Sequence, residues 1–132
     1  MTPHFGIDTS ILVRLLTGDP PKAFERCVRV LMRLIEQEEA EIVASNQVIG
    51  EAYVALQHHY GVSKGDARLA LETVLRSGMV APLNGAEVFA ALRTQGGCGL
   101  VDRLIADDYQ RRDVETLTVD ARMARLLHAR RL

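Results

Sequence analysis

The sequence predicts an α/β domain of three layers, a parallel sheet sandwiched between helices. Short apolar or β-branched runs alternate with amphipathic stretches along most of the chain. No tight-turn signal such as Asn-Gly stands between two strands, so the connections read as right-handed crossovers rather than hairpins. Two of the runs, HFGID near the N-terminus and LTVD near the C-terminus, stop on an aspartate just where a helix-like segment begins. In parallel sheets of this kind, functional groups gather beyond the carboxyl ends of the strands, which is where Asp8 and Asp120 stand.

Taken in order, His4 to Asp8 reads as a short strand and Ser10 to Leu16 as a short helix. The turn GDPP then opens a second helix to about Gln37, with proline at the helix start, where its missing N–H does no harm. Phe24, Cys27, Val28, Leu31, Leu34 and Ile35 recur there at helical spacing. Glu41 to Ala44 is a strand, and Ser45 or Asn46 caps a helix that Gly61 stops after Tyr60. Ser63 caps the next helix, to about Ser77. Met79 to Pro82 is a strand at or near an edge because of its proline. Asn84 caps a helix to about Gln95, and the loop GGCG leads into another from Leu100 to about Arg112. Thr116 to Val119 is the last strand, and Asp120 to about Ala129 a closing helix.

At 132 residues the chain reads as a single domain, 1–132, long enough to bury a core, and 48% apolar against 25% charged residues place it among globular proteins. A formal net charge of −1 argues against a broadly basic nucleic-acid surface, although 14 of the 16 basic residues are arginine, the better phosphate-gripping side chain. No apolar run approaches the ~20 residues of a bilayer span and no signal-peptide pattern precedes Phe5, so a cytoplasmic protein without membrane contact is expected. Cys27 and Cys98 lack CxxC spacing and read as free thiols of a reducing compartment.

Both strand-end aspartates have a plain explanation as helix N-caps. Two helical carboxylates add to them. On a helical wheel Asp102 falls inside the apolar arc of Val101, Leu104 and Ile105, where a lone aspartate is costly unless paired or bound to a cation. Glu51 lies at the edge of an apolar face beside Val48, Val54 and Ala55, a position that also suits an ordinary boundary glutamate. Asp107 lies near Arg103 and Arg111 and reads as solvated, and Asp108 has Arg112 four residues on. Four convergent carboxylates without an adjacent cation repel one another, and a divalent ion removes that cost. An all-oxygen set suits Mg²⁺ or Mn²⁺ rather than zinc, and such sites commonly hydrolyse phosphodiesters. Hydroxyls of Thr9, Ser10 and Thr118 adjoin the strand-end aspartates and can orient a carboxylate or a water, or simply cap and fill.

Other signals carry less. His58 and His59 diverge by about 100° on a helix and do not share an ion. GGCGLVD has no preceding strand and no following lysine, so it is no phosphate loop. No Ser-His-Asp or Cys-His arrangement is recoverable. Arg122, Arg125, Arg130 and Arg131 make the C-terminal end basic, fit either to touch RNA phosphates or to complement a helix C-terminus.

Four fragments in this order, GIDTSILVRLL, SNQVIGEAYVAL, GLVDRLIADDY and LTVDARMARL, resemble the PIN-domain family, and within it the small VapC-type toxins of prokaryotic toxin–antitoxin pairs. The resemblance covers nearly the whole chain. It implies a parallel sheet of four or five strands between helices, and a Mg²⁺- or Mn²⁺-dependent endoribonuclease. It maps the family's acidic set onto Asp8, Glu51, Asp102 and Asp120, with Asp8, Asp102 and Asp120 as metal ligands and Glu51 as a further ligand or an orienter of the attacking water. Ser10 and Thr118 fall on its supporting hydroxyl positions. Homodimers and a small inhibitory antitoxin are implied as partners besides RNA, and the apolar helix face from Val62 to Leu75 offers an interface. Arg103 after Asp102, the added charge of Asp107-Asp108, and Gly6 in the first strand depart from the family pattern. A PIN-fold adaptor without catalysis is the competing reading. A phosphoacceptor domain fares worse, since Lys22 and Lys64 are the only lysines.

Overall fold

Each strand of the main sheet is fed by a helical crossover in the computed structural model, which describes residues 2–132. Strand β1 (His4–Gly6) leads through α1 (Thr9–Thr17) and α2 (Pro21–Glu38) to β2 (Glu41–Ala44), and β2 through α3 (Asn46–Tyr60) and α4 (Lys64–Leu75) to β3 (Ala81–Pro82). The three strands are parallel in the order β1-β2-β3, with Phe5 opposite Ile42 and Val43 opposite Ala81. Helices α5 (Glu87–Arg93) and α6 (Leu100–Gln110) follow, then β4 (Thr116–Thr118), a single 3₁₀ turn (Met123–Arg125) and β5 (Ala129–Arg131).

Local chemistry sets most of these boundaries. Ser45 and Ser63 cap α3 and α4 by accepting from the N–H groups of Val48 and Asp66. Gly18 and Gly61 end α1 and α3 in the left-handed conformation that costs glycine nothing. Proline opens α2, where no N–H is needed. The core is the set of side chains these elements turn inward: Leu12 of α1, Ile49 of α3, Leu71 of α4, Val80 before β3 and Leu100 of α6 are almost wholly buried. Arg68 of α4 ties α5 down from outside. Its Nη1 donates to the carbonyls of Ala91, Leu92 and Thr94, groups that the end of a helix otherwise leaves without partners.

Two expectations change. The parallel sheet has three strands rather than four or five, because β4 pairs not with β1 but with β5, in a separate two-stranded parallel ladder. The closing helix from Asp120 is also replaced, by one 3₁₀ turn and β5. Met123, Leu126 and Leu127 have helical spacing, yet only Met123 is buried, in a small cluster with Cys98 and Ala106; Leu127 is 73% exposed. With no apolar stripe to bury, a helix here has little to stabilise it. Leu126 turns extended, His128 takes a positive φ of 61°, and the chain end pairs with β4 through Thr116 N–H to His128 O and Leu132 N–H to Thr118 O. Cys27 is half-buried and Cys98 buried, both as free thiols. Among the described residues, no helix is long and apolar enough to cross a membrane.

Candidate functional site

Beyond the end of β1, Asp8 has extended backbone and caps α1, so its cap role is real. Its Oδ1 accepts from the Ile11 N–H at 3.2 Å and from the Ser10 hydroxyl at 2.5 Å. The Ser10 hydroxyl, then the Ile11 N–H, hold this carboxyl below the usual aspartate range, and the Arg14 guanidinium adds to the effect. The remaining oxygen, Oδ2, takes no hydrogen bond from the described residues. Next to it, Thr9 donates its hydroxyl to Glu51 Oε1 at 2.5 Å, which joins the start of α1 to α3. Gln47 approaches the other oxygen of Glu51 at 3.5 Å. The fold therefore brings Asp8, Thr9, Ser10 and Glu51 to one place from positions about forty residues apart.

Asp120 mirrors Asp8 at the end of β4. Its Oδ1 accepts from the Met123 N–H at 2.8 Å, and Thr118 Oγ1 accepts from the Asp120 N–H at 3.0 Å. Asp102 lies in the first turn of α6 and is half-buried. Part of the apolar arc that flanks it does not face the core: Val101 and Ile105 line an open groove of about 550 Å³ between α6 and α3, along with Gly50, Glu51 and Val54. No hydrogen bond ties Asp102 or Asp120 to Asp8 or Glu51, and among the described residues no three His, Cys, Asp or Glu side chains are placed to hold a metal ion. The donor chemistry, all carboxylate oxygen, suits a hard cation such as Mg²⁺. In this geometry the carboxylates do not close around one.

A Cβ built on Gly50 meets Leu104 Cδ1 at 3.6 Å and Val101 Cγ2 at 3.7 Å, ordinary contact distances. Because glycine weakens a helix interior, Gly50→Ala is expected to raise stability by about 0.5–1 kcal/mol. Urea unfolding of the variant checks this; a loss of stability would mean that α3 and α6 pack closer than these distances.

The polar groups that sequence reasoning missed lie beyond the ends of β2 and β3. Asn46 is the first residue of α3 and only 4% exposed. Its Nδ2 faces three acceptors, the Leu104 carbonyl at 3.0 Å, Asp107 Oδ2 at 2.9 Å and Asp108 Oδ1 at 3.1 Å, while its buried Oδ1 has no partner. Asn84, just after β3, donates to the same two carboxylates at 3.1 and 2.7 Å. Arg111 Nε reaches Asp107 at 2.9 Å, and Arg111 Nη2 reaches Glu87 at 3.0 Å. Asp107 is thus half-buried in a network rather than solvated, and Asp108 bonds to the two asparagines rather than to Arg112. The available signal was the placement of both asparagines just past strand ends, where a parallel sheet collects polar side chains.

The sequence profile of the PIN domain family matches residues 6–128, a span that includes all four predicted acidic residues and both strand-end sites. The chain belongs to the PIN domain family. A comparison with curated proteins finds no match to the chain. PIN domains are in general nucleases that act on nucleic acid through divalent ions, and in this PIN domain the family match covers every element from α1 to α6, together with β4.

Proposed function

We propose that this PIN domain is a Mg²⁺- or Mn²⁺-dependent endoribonuclease, and that it is the toxin of a VapC-type toxin–antitoxin pair. The observation that carries the reading is the arrangement at the end of β1: an ionised Asp8 with one oxygen free, fixed by Ser10 and Ile11, with Glu51 held beside it by Thr9. Asp8, Asp102 and Asp120 are the proposed ligands, and Glu51 the proposed orienter of the attacking water. When bound, a divalent cation lowers the pKa of water and offsets charge on the phosphate. The chain's own part is to hold the carboxylates ionised and aimed: Ser10 and Ile11 do this for Asp8, Thr9 for Glu51, and the Met123 N–H for Asp120, whose backbone Thr118 fixes in turn. A cognate antitoxin, a homodimer and a cytoplasmic setting belong to this proposal through the family resemblance.

One observation favours a second reading, a PIN-fold adaptor that binds without cleaving: no three of the acidic side chains converge among the described residues. Incubation of the purified chain with RNA, in a titration of Mg²⁺ or Mn²⁺ and in excess chelator, separates the two. The nuclease reading expects cleavage that appears with the cation and vanishes with chelator. Intact RNA at millimolar cation, with no bound divalent ion by calorimetry, would favour the adaptor.

A further inference from the structure

Helices α1 and α2 enclose an open groove of about 610 Å³ whose rim is cationic: Arg14, Lys22 and Arg26 line it, and no aspartate or glutamate does. Its floor is aliphatic, with Ile11, Cys27, Val30 and Leu31 among the lining residues. Among the described residues, none of the three cations has a carboxylate partner within 4.0 Å, although most ion pairs elsewhere in the chain involve an arginine. Arg29 and Arg33, both exposed, continue the line from Lys22 and Arg26 at the i, i+4, i+7, i+11 spacing of one helix face, a stripe about 16 Å long. Glu25 and Glu36 lie on the same helix, and neither is within pairing distance of the stripe. At its other end the groove adjoins the site: Ile11, which lines it, donates its N–H to Asp8, and Arg14 is close enough to Asp8 to act on its charge.

A row of unpaired cations leading to a hydrolytic carboxylate complements a polyanion. We infer that the α1–α2 groove is a phosphate track for single-stranded RNA, in which Arg14, Lys22 and Arg26 grip the backbone and deliver the chain to Asp8. This deepens the ribonuclease reading and rests on it. Phosphate contacts of this kind position the strand without reading sequence, and an aliphatic floor without aromatic platforms offers sugars and bases contact but little selective stacking. The cost of removing a contact is therefore read in the salt dependence of binding.

The test measures binding of a single-stranded oligoribonucleotide by the full chain across a salt series, in the Asp8→Asn background so that the probe is not consumed. Lys22→Gln with Arg26→Gln is expected to weaken binding several-fold and to reduce the slope of log affinity against log salt by about 0.7 for each cation removed. Lys64→Gln with Arg112→Gln makes the same change in net charge outside the groove and is expected to leave affinity and slope where they were. An unchanged slope in the groove pair, or an equal drop in the control pair, would overturn the track. Parent cleavage with an unchanged groove-pair slope removes the track alone and points to an acidic protein partner for the groove. Absence of both cleavage and RNA binding in the parent removes the ribonuclease reading together with the track.

Discussion

Replacing Asp8 by asparagine is expected to lower RNA cleavage by about a hundredfold or more, the scale of losing one preorganised charged group at a reacting centre, while leaving the fold in place. The substitution separates the two roles of this residue. As an N-cap, asparagine serves as well as aspartate: its side-chain oxygen accepts from the Ile11 N–H and the Ser10 hydroxyl in the same geometry. The change in stability should therefore stay within about 0.5 kcal/mol, as for a surface substitution, whereas Asp8→Ala also loses the cap and about 1 kcal/mol. What asparagine lacks is the negative charge, and a cation-dependent nuclease needs that charge. Asp120→Asn makes the matched case, since it keeps an acceptor for the Met123 N–H. Single-turnover cleavage rates and thermal unfolding on the same preparations check both outcomes. An Asp8→Asn protein that cleaves at the parent rate would reduce Asp8 to a helix cap.

The elements that could be read from sequence are those with local causes. Strand β2 at Glu41–Ala44 and helix α3 at Asn46–Tyr60 fall where expected, because a serine cap, an apolar periodicity and a stopping glycine all lie within the segment. Asp8, Ser10, Thr118 and Asp120 were legible for the same reason, as each meets its partner within three residues. Non-local facts were not legible. The basic Ala129–Arg131 segment has no strand signal of its own and becomes β5 only because β4 lies beside it. Asp102 seemed committed to the core because Val101 and Ile105 flank it, and a helical wheel cannot tell a core from an open groove. Asp107 seemed solvated because its nearest sequence neighbours are arginines, whereas its asparagine partners stand 61 and 23 residues away.

That hidden network gives the largest expected loss of stability. Asn46→Ala removes the only buried donor to the Leu104 carbonyl and one of the donors to each of Asp107 and Asp108, with Asn84 left to serve both carboxylates alone. Stripping a buried acceptor of its partner and weakening two charged bonds should cost about 2–4 kcal/mol by urea unfolding. The pH dependence gives a sharper signature. Burial pushes the Asp107 carboxyl up, but hydrogen bonds from Arg111, Asn46 and Asn84 together outweigh it and hold the group below the usual aspartate range. A carboxyl depressed in the folded state stabilises the fold above its unfolded pKa, and that contribution is lost as pH falls through the folded value. Without Asn46 one of the depressing bonds is gone, so acid destabilisation should begin at a higher pH than in the parent. Asn46→Asp reverses the sign. A third carboxylate set against Asp107 and Asp108 raises the pKa values of the group, so the folded state binds protons more readily than the unfolded chain. Its stability should then rise as pH is lowered from 7 toward 5, over a range where the parent is nearly flat. Equal stability of Asn46→Ala and parent at pH 7, or an Asn46→Asp protein that gains nothing on acidification, would show that Asn46 does not hold the ends of β2 and β3 to α6.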